Sequence, residues 1–489
     1  MKTRLFLFTI SFVIYSGLSA QANYIGSGIS LSVNGDNGNY VDLGDVFNDL
    51  NFPFTIEAWV YPTAWTAFGD YAPIISTDNA STGSYYGLWF RFNSSGKLIL
   101  EIGDGSGAGS TDRRGKVTSG SISLNQWTHV AVVATSVTDM QFYFNGVLQT
   151  ASNTDGGASN TSLVHNSNPA TISRQVTPFA EHNFIGQLDE IRLWNTGKTE
   201  TDIRTHMCSK ISTLPGDLIG YWNFDESYDS ETVTDITTPT ENGTITGSAD
   251  KITSGAPIGD ESTYKYLEDW TGVKMTIYAL NDDFFRIKEI INNPHGMHIY
   301  RVDNSPYYND GLLTEPGYYF GVFPVNDGTP ASYGISYRFT ASNGISTAEN
   351  ADFTTLYTKE TNAISSWMNL GGIIDDAYKF IRKPGNITRM EVILNINNPA
   401  INNNDGNNKN ADNDLYTSVF PNPANDYVYI TDVRADEQIY LVNAQGQFIK
   451  TDYTITDQIC RIDLTGITKG IYFIYGVKVN GCIAKIQVL

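Results

Sequence analysis

Between residues 24 and 259 the chain repeats one local pattern. Short segments alternate apolar and polar side chains, or run briefly apolar throughout, and each is closed by glycine or asparagine. Thr55–Val60, Gly87–Phe92, Trp127–Val133 and Met140–Phe144 are of this kind. A period of two residues is that of a strand with one face buried. Asn145-Gly146 then returns the last segment into Val147-Leu148, the dipeptide that suits a two-residue hairpin turn. One helix is expected, where Thr199 and Asp202 can form a cap and Ile203, Met207 and Ile211 follow at four-residue spacing. Charged residues are only 17% of the chain against 44 glycines and 29 tyrosines, a balance that suits strands and turns. Strands at such regular spacing predict an all-β protein built on a two-sheet sandwich.

The length of 489 residues leaves room for about three domains. Lys2 and Arg4 precede an apolar run, Leu5–Tyr15, and then small residues. This is the pattern of an export signal over residues 1–20, with cleavage after Ala20 or Ala22. The run is shorter than the roughly 20 residues of a spanning helix, and no later segment comes close, so no transmembrane segment is expected. Residues 260–398 continue in strands as a second β-sandwich, in which Gly317–Phe323 and Tyr333–Phe339 read as a hairpin across the Asn326–Pro330 loop. Asn397–Asn413 is almost entirely Asn, Asp, Gly and Lys, so residues 399–415 are expected to be a flexible linker. Ile401 stands where a calcium loop needs its first acidic ligand. Residues 416–489 form a last, small β-unit. Alternation there turns both Cys460 and Cys482 toward its core, where an exported chain can bond them or leave two unpaired thiols. Cys208 is expected simply to pack.

Gly186–Asn195, the short helix and Gly220–Glu226, preceded by Phe54–Val60 and Trp127–Ala131, resemble in content and order a laminin-G-like, concanavalin-type jelly roll. Asp235 and Asn242–Ile245 resemble its closing strand, so the resemblance covers residues 24–259. Ala256–Asp260 and His298–Val302 are similar to a β-sandwich module that follows such jelly rolls in exported bacterial surface proteins. Val419–Asn425, Leu441–Gly446, Leu464–Phe473 and Lys485–Leu489 resemble the type A sorting domain of bacterial type IX secretion, over residues 416–489. That resemblance implies handling by the type IX machinery and delivery across the outer membrane. The domain is then usually removed, and the passenger is released or attached to surface lipopolysaccharide.

Acidic residues outnumber basic ones by 52 to 31, a formal charge of −21 that repels phosphate backbones, so nucleic acid is not expected as a partner. Enzyme signatures are absent. The Glu-x-Asp-x-Glu strand of β-glucanases sharing the jelly-roll fold does not occur, and alternation points the adjacent Asp189 and Glu190 to opposite faces. No nucleophile elbow, zinc helix or phosphate loop is present. His295 and His298 are offset by three residues across a strand start and do not suit a shared metal, while His129 is expected in the core or half-buried. In jelly rolls of this type a structural calcium joins the first strand to a late acidic residue. The resemblance carries that role to Asp189, with Asn34 and Asp36 as partners; the alternative is that Asp189 hydrogen-bonds a buried turn.

Trp59, Trp127, Trp194 and Trp222 stand at family core positions and are expected to pack. Trp65, Phe68 and Tyr71 lie in the loop after the Trp59 strand, and Tyr85 and Tyr86 in the next loop, near Asn79. These rings are the candidate ligand-binding surface, since sugars take aromatic faces with polar neighbours. The alternative is a satellite core folded over the sandwich edge. Arg113 and Arg114 are expected as a solvated loop tip or a hydrogen-bonding arm. The expected function is therefore a secreted or surface-displayed, non-catalytic binding protein, with glycan as the favoured ligand. A protein-binding adhesin or structural surface protein is the first alternative, and an accessory to, or cryptic form of, polysaccharide hydrolase the second.

Overall fold

The computed structural model describes residues 26–396 and 419–488, apart from residues 37, 66–70, 79–82, 155, 178–179, 238–240, 280–282, 313–316, 327, 340–353, 376–379, 386–388, 421–423, 431–432, 434–438, 444–447, 450, 457–458 and 477–480. The export signal, the Asn-rich linker and Phe68 therefore lie outside the described residues. Nearly all regular structure is strand. The one α-helix among the described residues, Glu200–His206, begins at the Thr199–Asp202 capping box and ends one turn short of Ile211.

The first sandwich packs an eight-stranded sheet on a nine-stranded one. In the eight-stranded sheet, Phe54–Pro62 lies between Thr128–Ser136 and Ile185–Trp194, and Ile29–Asn34 pairs on to Asp250–Thr253. The nine-stranded sheet runs through Arg113–Thr118, Leu98–Gly103, Leu88–Asn93, Tyr71–Ser76, Ala170–Ile172, Tyr40–Gly44 and Gly243–Thr246. Asn145 and Gly146 take φ of 47° and 71°, the left-handed pair that closes the expected hairpin. Alternation fills the core: Phe54, Ile56, Ala58 and Val60, with Val130 and Val132 beside them in the same sheet, pack with Phe90, Phe92, Leu98 and Leu100 of the other.

The other face of the Phe54–Pro62 strand is buried too. A second sandwich covers it, made of a six-stranded sheet (Glu261–Tyr266, Gly296–Val302, Tyr319–Val325, Met390–Ile396, Thr354–Lys359, Met368–Asn369) and a five-stranded sheet (Met275–Tyr278, Phe284–Ile291, Ser332–Arg338, Phe380–Lys383, Ile373–Asp375). Between the sandwiches, Trp59, Trp127, Met207 and Cys208 pack with Tyr300, Tyr319, Phe323, Trp367 and Ile393 in one apolar cluster. Trp59 meets Phe323 edge-on with centroids 5.2 Å apart and donates through Nε1 to Met207 O at 2.7 Å. Gly321 is required here, because a Cβ would come within 1.9 Å of the Tyr300 ring that crosses it. Both sandwiches fall into one compact unit.

Two expectations are corrected. Tyr319–Val325 and Ser332–Arg338 are not a hairpin, because they sit in opposite sheets of the second sandwich and pair with different neighbours. Pro324 and Pro330 flank the connection and cannot donate to a ladder, which favours a crossing between layers. Arg113 is no loop tip; it opens the Arg113–Thr118 strand.

The last unit holds two four-stranded sheets. Val428, Ile430 and Ile462 of one sheet and Leu441, Ile474 and Ile486 of the other meet in its core. Cys460 is a buried free thiol in the first of these sheets, whereas Cys482 lies on Gly481–Val488 in the second.

Trp59→Ala removes the ring that bridges the two sandwiches and should cost about 3–5 kcal/mol. Calorimetry of the full chain should show the two sandwiches unfolding together, and the variant should separate that transition into two.

Candidate functional site

Of the described rings in the expected aromatic rim, Tyr85 is buried and Trp65, Tyr71 and Tyr86 are half-buried. Trp65 leans on the first core, with its ring 5.4 Å from Phe92. Tyr71 lies under Arg91, whose guanidinium carbon is 3.3 Å from the ring centroid. Tyr85 is buried against Trp89 at 5.0 Å, and its hydroxyl accepts from Arg113 Nη1 at 2.9 Å. Tyr86 is half-buried beside Gly105, where a Cβ would come within 2.8 Å of its ring. Arg91 pairs with Glu101, which also faces Arg113 at 3.5 Å, so Tyr71 and Tyr85 belong to one packed polar-aromatic layer. Phe68 lies outside the described residues. Trp65, Tyr71 and Tyr85 thus pack on side chains of the nine-stranded sheet, as the alternative of a satellite core expects, and Trp65, Tyr71 and Tyr86 keep part of their surface exposed.

The proposed calcium partners are also separated. Ile29–Asn34 pairs with Ile185–Trp194 so that Asn34 stands opposite Ile185. Asp189 lies four residues further along that strand, about 13 Å away at strand rise. Asn34 instead donates to Asp36 Oδ2 at 2.9 Å and accepts from Asn39 Nδ2 at 2.6 Å. Asp189 accepts from Ser254 Oγ at 2.5 Å and from Glu190 N at 2.7 Å. Burial first, then the charges of Glu190 and Asp225, push the Asp189 carboxyl well above the carboxylate range. Among the described residues no three His, Cys, Asp or Glu side chains converge to hold a metal ion. The residues do not fit the ion.

A bulge between Asp189 and Arg192 overrides the alternation expected for the Asp189-Glu190 pair. Glu190 takes φ of 51° and turns inward, where Arg192 and the Tyr221 hydroxyl, at 2.7 Å for the latter, donate to its carboxylate. Next to it Glu57 receives Trp194 Nε1 at 3.1 Å and lies 3.4 Å from His129 and 3.6 Å from Arg192. Burial alone would raise the Glu57 pKa, but His129 and Arg192 outweigh it and hold the carboxylate at about 2. His298, fully buried, contacts Tyr266 at 3.0 Å, and burial first and then the His129 charge lower its pKa to about 3. None of these groups opens onto a cleft.

An open cleft lies elsewhere, where the sandwiches meet. Its volume is ≈ 580 Å³, within the range of small-molecule sites. Tyr61, at the end of the Phe54–Pro62 strand, and Trp127, entering Thr128–Ser136, form one wall with ring centroids 5.6 Å apart. Phe323 and Arg389 of the second sandwich form the facing wall, and Arg389 also donates to Gly255 O. Asn125, Gln126 and Glu360 are exposed at the rim. Gln187 accepts from Ser30 Oγ at 3.2 Å, which leaves its amide nitrogen to donate. Asn125 is presented on a turn at φ of 57°, a conformation asparagine tolerates. Aromatic faces beside amide, guanidinium and carboxylate groups can stack on a ring and hydrogen-bond hydroxyls.

Residues 34–204 match the family model of the concanavalin A-like lectin/glucanases superfamily, and residues 418–487 match that of the secretion system C-terminal sorting domain. Among solved structures, the chain is similar to a Bacteroides ovatus ATCC 8483 protein named only provisionally as carbohydrate binding. The identity is 20% and the TM-score 0.35, and the likeness covers 48% of this chain and 62% of that one. A sialidase CBM40 from Ruminococcus gnavus, bound to α2,3-sialyllactose, is 10% identical over 37% of this chain and 97% of its own, with a TM-score of 0.30. A pentraxin from Limulus polyphemus is 17% identical over 37% and 81%, with a TM-score of 0.26. No curated protein matches.

Two outcomes follow from these carboxyls. Because folding depresses the Glu57 pKa from 4.5 to about 2, its stabilisation is present above pH 4.5 and lost as pH falls toward 2. The stability difference between the native chain and Glu57→Gln should shrink by roughly 3 kcal/mol over that window in urea melts at stepped pH. Asp189→Asn mimics a neutral acid and should hold its melting temperature within a few degrees. Calcium should leave both melting temperatures unmoved; a calcium-dependent rise confined to the native chain would restore Asp189 as a ligand.

Proposed function

We propose that this chain, which carries a laminin-G-like, concanavalin-type domain and a type IX sorting domain, is a non-catalytic glycan-binding protein of the cell surface or exterior. Its sugar would sit in the cleft between the two sandwiches. The sorting domain directs the chain through type IX secretion to the cell surface or outside. No helix among the described residues is long and apolar enough to cross a membrane.

The observation that carries the reading is the cleft's lining. Tyr61, half-buried, offers aromatic surface to the C–H face of a pyranose, while Asn125, Gln126, Gln187, Glu360 and Arg389 offer donors and acceptors to its hydroxyls. A binding role fits the chemistry better than hydrolysis. Glycoside cleavage takes two carboxyls, about 5–5.5 Å or 6.5–9.5 Å apart. Among the described residues that line the cleft, Glu360 is the single carboxylate. Asp189, Glu190 and Glu57 are buried away from it.

A glycan array on the secreted chain tests the reading. Gln126→Ala with Glu360→Ala alters exposed side chains, so the melting temperature should hold while array binding weakens at least tenfold. Trp65→Ala with Tyr71→Ala, checked for folding, should retain binding. If the second pair abolishes binding and the first does not, the site lies on the nine-stranded sheet. An array with no binding at all favours protein contact, as an adhesin or structural surface protein would make.

A further inference from the structure

A buried row of four residues runs straight across the six-stranded sheet, on its face toward the first sandwich. Tyr300 stands opposite Gly321, Gly321 opposite Glu391, and Glu391 opposite Lys359. Because Gly321 carries no side chain, the Tyr300 ring crosses it, and the Tyr300 hydroxyl donates to Glu391 Oε1 at 3.3 Å. Lys359 approaches the same carboxyl from the opposite strand, with Nζ 3.9 Å from Oε2. Tyr300, Tyr319, Tyr357, Trp367 and Ile393 belong to the apolar cluster on this face, and the Lys359 ammonium lies 4.6 Å from the Trp367 ring centroid. Neither partner reaches solvent, since the side chains of Lys359 and Glu391 are both 0% exposed.

Elsewhere the chain pairs a buried lysine differently. The Lys251 side chain is equally enclosed, yet its Nζ donates to Glu226 Oε2 at 2.6 Å and to Thr232 O at 2.7 Å. Lys359 instead donates to two backbone carbonyls, Asn362 O at 3.2 Å and Ile364 O at 3.4 Å, and Glu391 Oε2 has no hydrogen-bond partner. A carboxylate oxygen left bare in a dry site is costly, and a charged pair so placed should close to hydrogen-bond distance. Burial supplies the alternative. It is the largest influence on both groups, raising the pKa of Glu391 and lowering that of Lys359, so each is pushed toward its neutral form. A neutral amine facing a neutral carboxylic acid, with water excluded, is the pair that condenses to an amide.

We infer that Lys359 and Glu391 are a modification site, at which an amide forms between Lys359 Nζ and Glu391 Cδ and cross-links the two strands. One ammonium proton passes to Oε2, giving amine and acid. Nζ then attacks Cδ, the Cδ–Oε2 bond breaks, and Oε2 leaves as water with a second proton from Nζ. No oxidant or further reactant enters the balance. Oε2, free of other bonds, faces the lysine as the leaving oxygen, while Oε1, where negative charge gathers, already accepts from Tyr300. Opposed strands hold the partners together, and the terminal torsions of lysine can close the 3.9 Å to the roughly 3–3.5 Å of a near-attack pair. The bond would stand beside Glu360 and two residues from Arg389, and so would fix the strand ends that carry cleft-lining residues. It does not depend on what the cleft binds.

Tryptic mapping of the purified full chain tests the cross-link. Trypsin does not cleave after an acylated lysine, so residues 339–379 should appear as one peptide joined to residues 390–409, lighter by one water than the two together. The Lys359→Met/Glu391→Leu double variant replaces the pair with apolar groups of similar size, and should release residues 339–379 and 390–409 unlinked. In the native chain, a peptide ending at Lys359 and another beginning at Met390, each at its full sequence mass, would overturn the cross-link. So would a one-water deficit that fragmentation places at an Asp-Gly sequence such as Asp310-Gly311, where a succinimide accounts for it.

Discussion

Trp59 lies on a strand with no solvent face. Its neighbours Ala58 and Val60 point into the first sandwich, and Trp59 itself points out of that sandwich into the second. An aromatic side chain of this kind buries roughly 150–250 Å², which at about 25 cal/mol per Å² is worth some 4–6 kcal/mol before ordering costs. Trp127, Tyr300, Tyr319, Phe323 and Trp367 add to the same cluster. Left uncovered, this face would be a contiguous apolar patch of the size that drives aggregation. Residues 260–396 are therefore a structural complement of the jelly roll as well as a domain beside it.

The same burial dictates where charge can sit. On the outward face of the eight-stranded sheet, Glu57, His129 and Arg192 accompany Trp59, and the covering layer excludes water from all three. A buried charge without a partner is costly, so the carboxylate must be paired where it stands. The bulge at Glu190 belongs to this arrangement. By taking a left-handed backbone that a glutamate visits reluctantly, it brings a second carboxylate to Arg192, which also donates to the carbonyls of His206 and Ser209 and lies over the Tyr221 ring. The helix end and the domain interface are thus tied to one guanidinium.

Much of this architecture was legible in the chain. Period-two alternation, Asn145-Gly146 and the Thr199–Asp202 cap each report a local choice, and local choices are what a sequence states directly. Trp59 was read correctly as a packing residue, but the partner it packs on, Phe323, is far away in the chain and no pattern links them. The aromatic loop left two readings open for a related reason: what covers Tyr71 and Tyr85 is Arg91 and Arg113, which come from neighbouring strands. The cleft left still less trace. Asn125-Gln126 before Trp127 is an unremarkable polar turn, and Glu360 gains meaning only when a second sandwich docks across from it.

That docking also divides the work among the cleft residues. Trp127 belongs at once to the cleft wall and to the cluster joining the sandwiches, so folding fixes it whatever the ligand. Asn125, Gln126 and Glu360 stand on exposed turns, where substitution disturbs little packing. Substitution at the rim can therefore change the polar lining of the cleft while the packed aromatic wall stays constant.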